Sequence, residues 1–379
     1  LFKSTDGGQT FGPATEVVSS IGGAGNHDKE MIATGILTDK VYMAWFDNGQ
    51  IRFAGSDDGG ASFAAPAADD GVIVNDVGSG QGAVVATRLV PGAADTPASE
   101  HVYVAWRQRL NDTDGRILFD RSTDNGASFG DDVVVEGNLT LFPELTIDAG
   151  TGPRNFPGIV GEHGEALGND SNAFRVNSFP AMDVCNDPAS DHFGNIYIVF
   201  ADNRFGDGDV FLKWSEDGGE TWPGATQTTR VNNDAIGNGI DQFFPWIDVD
   251  EGCKINVAFY DRRDDAPEHL RFHLYLAHST DGGDSFDQNF RLSTAPSTNA
   301  QFQGGFIGDY LQIAATTADS ATFHHQVDRA AVLWMNTREG AQDIYAATAL
   351  QTGGGTWLNV DVDLDFVSPG DVSDAFDAI

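Results

Sequence analysis

Positive charge is what this sequence has least of. Its 379 residues carry 21 Lys and Arg against 57 Asp and Glu, a formal net charge of −36, and only five of the basic residues are lysines (Lys3, Lys29, Lys40, Lys213, Lys254). A chain so acidic lacks the basic footprint that phosphate binding needs, which excludes nucleic acid as a partner. Apolar runs are only a few residues long, so no membrane span is expected. Two cysteines are too few for a disulfide-dense scaffold. Zinc-ligand spacing, a phosphate-cradling glycine loop and a Gly-x-Ser-x-Gly elbow are all missing. The chain opens at Leu1 without a charged-then-apolar leader, and the expectation is a mature or trimmed end. Self-repulsion on this scale is tolerated where salt screens it, which suits a halophilic source or an acidic secreted protein from sea water.

Glycine (45) and phenylalanine (26) are plentiful, a mixture suited to many short strands joined by tight turns. A repeat organises them. Ser4-Thr5-Asp6-Gly7-Gly8-Gln9-Thr10-Phe11 returns at Ser56 to Phe63, Ser122 to Phe129, Ser215 to Trp222 and Ser279 to Phe286. A worn sixth copy, with Thr352 in place of the Asp, ends in Gly355-Thr356-Trp357. The carboxylates of Asp6, Asp58, Asp124, Asp217 and Asp281 are placed to accept N–H groups of the turn that follows them. Glycine supplies the positive φ of that turn, and the closing aromatic is expected to tuck beneath it. The motif reads as structural.

Two strand-like runs precede each copy. Val41–Trp45, Val102–Trp106, Ile196–Phe200, Ile255–Phe259 and Ala331–Trp334 are the second strands, and Ala181–Val184 and Trp246–Val249 are examples of the first. Three strands, a turn motif and a fourth strand make a four-stranded antiparallel blade. The motif resembles the Asp-box, or bacterial neuraminidase repeat, of sialidase-like β-propellers, where it joins the third and fourth strands. Phe244-Pro245-Trp246, Phe259-Tyr260-Asp261-Arg262-Arg263 and Ile307-Gly308-Asp309-Tyr310 resemble segments of the same secreted group.

The resemblance implies an all-β, six-bladed propeller in one domain over residues 1–379. The first blade is incomplete over residues 1–20, and a long loop is inserted over residues 137–173. Closure by Ala375–Ile379 and closure by an N-terminal segment outside this sequence both stay open. Equivalent turns of adjacent blades are neighbours, so Cys185 and Cys253 are expected to pair in an oxidising, extracellular or cell-surface setting. A monomer is expected.

Strand alternation places the Asp-boxes on one face and the starts of the inner strands on the other. At those starts stand His27, Asp28, Lys29 and Glu30, then Gln81, Asn177, Asp241 with Gln242, and Asp309 with Tyr310. At the ends of second strands stand Asp47, Arg107 with Arg109, Asp202 with Arg204, Asp261 with Arg263, and Asn336 with Arg338. An acid or amide, any residue, then Arg suits either a girdle of ion pairs or a ring of guanidinium forks for a carboxylate.

On the sialidase template, Tyr310 is the nucleophile candidate, Glu30 its partner, and Asp28 or Asp47 the proton donor. Arg107, Arg204, Arg263, Arg338, Asp241 and Asp309 are the substrate-binding candidates. No Phe-Arg-Ile-Pro-like segment is present, and Phe174-Arg175-Val176-Asn177 is a faint echo of it. The inserted loop adds Glu162, His163 and Glu165. The reading is a glycoside hydrolase acting on an acidic glycan. The alternatives are a non-catalytic glycan- or protein-binding propeller and, more weakly, a polysaccharide lyase. No cofactor is required on this reading. Asn111-Asp112-Thr113-Asp114 and Asp207-Gly208-Asp209 are oxygen-rich turns with the chemistry to hold structural calcium.

Overall fold

A computed structural model describes residues 1–18, 27–63, 71–92, 98–142, 159–160, 174–224, 227–265, 271–297, 307–319, 326–338, 343–351 and 357–362. These residues form five four-stranded antiparallel sheets in chain order. The first holds β1 (His27–Thr34), β2 (Val41–Asp47), β3 (Gln50–Ser56) and β4 (Val72–Ile73). The second holds β5 (Gly80–Val90), β6 (Ser99–Arg109), β7 (Asp114–Ser122) and β8 (Val133–Thr140). A short parallel pair follows, β9 (Ile159–Val160) with β10 (Phe174–Arg175). The third sheet is β11 (Ala181–Val184), β12 (Ile196–Asp202), β13 (Asp209–Ser215) and β14 (Thr228–Arg230). The fourth is β15 (Gln242–Val249), β16 (Ile255–Asp261), β17 (His273–Ser279) and β18 (Phe290–Arg291). The fifth is β19 (Gln312–Asp319), β20 (Gln326–Asn336), β21 (Asp343–Gln351) and β22 (Trp357–Val362). No membrane-length apolar helix occurs among the described residues.

Burial reports how the sheets stack. Every residue of β12, β13, β16 and β17 is buried, whereas β2 and β3 alternate buried with half-buried positions. Strands covered on both faces need apolar side chains on both, which is why Ile196–Ala201 reads as an unbroken apolar run. The first strands lie side by side, β1 next to β5, β5 next to β11, β11 next to β15 and β15 next to β19. Side chains stitch each junction to the neighbouring backbone. Thr87 Oγ1 donates to the Thr34 carbonyl (3.0 Å), and Asn186 accepts from Leu89 N (2.8 Å) while donating to the Thr87 carbonyl (3.0 Å). Asp183 Oδ2 accepts from Val249 N (2.7 Å), and Asp248 Oδ2 from Ala315 N (2.9 Å).

The five complete copies of the Ser-x-Asp-x-Gly motif share one hydrogen-bond scheme. In the copy at Ser122, Asp124 Oδ1 accepts from Ser128 N (2.9 Å) and Ser122 Oγ (2.7 Å), Oδ2 accepts from Ser128 Oγ (2.6 Å), and Gly126 N donates to Ser122 Oγ (2.7 Å). Asp6, Asp58, Asp217 and Asp281 repeat it. The side-chain bond from Thr10, helped by the Thr10 amide, draws the Asp6 carboxyl down to about 2, and Ser62 does the same for Asp58. Gly126 takes φ +84° and lies over the Phe53 ring of the preceding sheet, where a Cβ would come within 2.1 Å of it. Gly219 lies over Phe119 in the same way.

The aromatic that closes the motif packs against the apolar core, as expected, for Phe129, Trp222 and Phe286. It spans the seam to the preceding sheet, Phe129 against Phe53 (5.1 Å between centroids) and Trp222 against Phe119 (5.3 Å). Phe11 in the first copy is 62% exposed, since no sheet precedes it among the described residues.

Five four-stranded sheets are therefore seen among the described residues, and the sixth blade expected draws on segments outside them. Residues 1–18 form the first copy of the turn motif, closed by Gly12 N to the Lys3 carbonyl (2.9 Å), without a strand. Around the expected insertion, β8 continues to Thr140. Residues 352–356 of the worn sixth copy, Glu162, His163, Glu165 and the segment Ala375–Ile379 lie outside the described residues. Cys185, after β11, and Cys253, before β16, are joined as a disulfide with their Cα atoms 5.0 Å apart, tying the third sheet to the fourth.

Candidate functional site

Three of the inner strands begin with the same irregularity. A bulge breaks the register of β1 between Asp28 and Met31, of β5 between Gln81 and Val84, and of β15 between Phe243 and Trp246. The residue inside each bulge is left-handed: Lys29 (φ 60°), Gly82 (φ 66°) and Phe244 (φ 48°). Bulges re-aim side chains. Here Lys29 ends up buried, its Nζ 2.7 Å from Asp309 Oδ2 and 3.2 Å from Asp28 Oδ2. Asn177 Nδ2 donates to the other oxygen of Asp309 (3.0 Å). Thus β1 and the segments leading into β11 and β19 meet in one polar cluster.

Aromatic rings surround that cluster. Lys29 Nζ lies 5.6 Å from the Phe179 ring and 5.7 Å from the Tyr310 ring, and Arg107 covers Phe179 at 5.2 Å while donating to Gln81 Oε1 (2.8 Å). Trp246 meets Tyr310 edge to face at 6.4 Å. A cleft with room for about one water lies among Lys29, Asn177, Phe179, Asp309 and Tyr310. Met31, Val84 and Trp246 border both this cleft and a larger cavity of about 380 Å³. The first strands of all five sheets line the larger cavity, including Glu30, Asp183 and Asp248. Burial raises the carboxyls of Asp183 and Asp248 above the usual range, and the charge of Asp183 raises Asp248 further.

The candidates separate accordingly. Tyr310, Asp28, Asp309 and Arg107 are brought together at the mouth. Glu30 lines the larger cavity, so the group facing the Tyr310 ring is Lys29. Asp47 is buried at the end of β2, where Asn48 Nδ2 donates to it (2.9 Å) and Arg52 lies 3.9 Å away. Asp241 accepts from Gly208 N (2.8 Å) within the third-to-fourth sheet seam.

The arginines on second-strand ends follow one rule. The amides of Arg204, Arg263 and Arg338 donate to the Asp202, Asp261 and Asn336 side chains two residues before (3.1, 2.7 and 2.8 Å). Their guanidiniums lie over Phe211, Tyr275 and Tyr345 at 4.3, 4.8 and 4.1 Å. Arg204 further grips Asp202 and Glu136, and Arg263 grips Asp261, Asn233 and Asn289. That is the geometry of a girdle.

Sequence reasoning gave no role to Lys29, Phe179 or Trp246. The available signal was one of five lysines set inside the charged run His27–Glu30, and Phe-Pro pairs at Phe179-Pro180 and Phe244-Pro245. Among the described residues no three His, Cys, Asp or Glu side chains cluster to hold a metal ion.

No family model and no curated protein matches the sequence. Solved structures similar to it include the alpha-L-arabinofuranosidase of Fusarium graminearum (11% identity over 89% of this chain and 81% of that one, TM-score 0.49). An alpha-L-arabinanase of Penicillium chrysogenum is 10% identical over 89% and 81%, with a TM-score of 0.46. The leech intramolecular trans-sialidase is 11% identical over 89% and 61%, with a TM-score of 0.47. The all-β architecture of four-stranded antiparallel sheets stands on the strand pairing itself.

Proposed function

We propose that the chain is a secreted, sialidase-like glycoside hydrolase of the Asp-box propeller type, taking an acidic glycan at the mouth formed by the inner-strand starts. One observation carries this reading: two carboxylates, Asp28 and Asp309, share the Lys29 ammonium beside the Tyr310 ring. A glycosidase pairs an acid/base carboxyl with a nucleophile, and in sialidases a tyrosine takes the place of the second carboxylate. Asp309 is buried and held by Lys29 and Asn177, whereas the Asp28 side chain is 46% exposed. An incoming sugar carboxylate would compete with Asp28 for Lys29. On this reading Asp28, once displaced, takes the Tyr310 phenol proton as that oxygen attacks the anomeric carbon, and delivers it to the leaving oxygen as the glycosidic bond breaks. Arg107 adds positive charge at the rim.

A non-catalytic glycan-binding propeller is the second reading, and two placements favour it. Arg204 and Arg263 are engaged by carboxylates and amides of the protein itself, and Glu30 lines the other cavity. A panel of fluorogenic sialosides and uronate-bearing glycosides in molar salt separates the two. Turnover that falls by at least about a hundredfold in Tyr310→Phe is expected for the enzyme. Saturable binding without product, unchanged in Tyr310→Phe, would establish the binding module instead. An unsaturated, ultraviolet-absorbing product would mark a lyase.

A further inference from the structure

Of the two oxygen-rich turns in the sequence, one satisfies itself. Asn111 Oδ1 accepts from Thr113 N and Asp114 N (both 2.9 Å), Asp114 Oδ2 accepts from Asn111 Nδ2 (2.8 Å), and Asp112 meets Arg109 (2.6 Å). The hairpin between β12 and β13 does not. Asp207 Oδ2 accepts from Gly239 N (2.7 Å), and Asp209 Oδ1 accepts from Asn232 Nδ2 (2.7 Å) and pairs with Arg230 (2.8 Å). Yet Asp207 Oδ1, Asp209 Oδ2 and Asn203 Oδ1, all in this one hairpin, are buried and meet no donor. Both aspartates are only 2% exposed. Leaving one buried acceptor unmatched is costly, and a carboxylate oxygen more so.

Nearby cations are shared out already. Arg230 also serves Asp234, Arg263 serves Asp261 and Asp234, and Arg262 lies 4.0 Å from Asp241. Negative charge remains in excess around the hairpin. We propose that residues 203–209 form a calcium site, with Asp207 Oδ1, Asp209 Oδ2 and Asn203 Oδ1 as its side-chain ligands. Calcium takes oxygen ligands at about 2.3–2.6 Å, closer than a hydrogen-bonded water stands. An ion at that distance asks for less room beside each oxygen than a water does. Two carboxylates with an amide oxygen suit a hard cation that completes its shell from carbonyls, and not zinc. Bound there, the ion would fix the hairpin that carries Arg204 on the same rim as the mouth.

The test is calorimetric titration of calcium chloride into the chelator-stripped full chain, in enough sodium chloride to suppress diffuse binding to surface acids, with melting curves alongside. One saturable site and a rise of several degrees in melting temperature are expected. Asp207→Asn should abolish both. It should still fold, because its amide supplies a donor to the unmatched oxygens. Asp112→Asn, in the self-satisfied turn, should keep both. No saturable heat and no melting shift in the unaltered chain would overturn the site. So would calcium binding that survives Asp207→Asn or disappears in Asp112→Asn.

Discussion

Single carboxyl groups in this protein are driven in opposite directions by their surroundings. The aspartates of the repeated turn motif are exposed and hydrogen-bonded within it, which holds Asp6 and Asp58 near 2. Their contribution is complete above the ordinary value of 3.8 and is lost as pH falls from about 4 to 2. Buried carboxyls behave the other way. Burial lifts Asp120 to about 7, with the charges of Asp132 and Asp76 adding to it, and burial lifts Asp183 and Asp248 as well. These groups keep a proton in the folded chain that the unfolded chain releases above 3.8, so stability declines as pH rises toward 7. A melting temperature that peaks at about pH 4–5 and falls on both sides is expected in circular dichroism at fixed salt. Asp120→Asn should flatten the upper limb, and an unchanged limb would remove Asp120 from the account. The boxes were legible in the sequence because each is a local motif whose donors and acceptor lie within eight residues. The raised carboxyls were not, because their surroundings come from other sheets.

At the scale of strands, the mouth depends on bulges that no periodicity signals. A one-residue irregularity turns Lys29 inward toward Asp309, 280 positions away in sequence. The second strands were readable as apolar runs, and the inner-strand starts were readable as charged, but which of those charges would meet was not. Asn-or-Asp-x-Arg was visible as a recurring pattern. Its meaning required the aromatic two residues into the third strand, Phe211, Tyr275 or Tyr345, on which each guanidinium rests. Gly82 tests the bulge directly. It holds φ +66°, and a Cβ there would come within 2.4 Å of the Phe179 ring. Gly82→Ala is expected to cost about 1–3 kcal/mol in denaturant unfolding and, on the function proposed above, to weaken glycan capture by dislodging Phe179 from Lys29 and Arg107. A variant with normal stability and normal capture would show that the ring can be moved without consequence.

Over the whole molecule, charge opposes compaction. With −36 formal charges on 379 residues, the melting temperature should climb steeply between about 0.1 M and 1 M sodium chloride as the screening length shrinks from about 10 Å to 3 Å. A salt-independent midpoint would mean that the surface acids are neutralised locally. What keeps the first strands together across this repulsion is a set of clasps that recognise backbone rather than side chains: Asp183 at Val249, Asp248 at Ala315, Asn186 at Leu89 and Thr87 at Thr34. Such a lock is one-sided: any residue offers the carbonyl that Thr87 takes, and any residue but proline offers the N–H that the other three take. Evolution is thereby released from matching partners in pairs. The amides of Val249, Ala315 and Leu89 survive any substitution but proline, so the clasps place no demand on those side chains beyond what packing asks, and the sheets can diverge without losing their hold on one another.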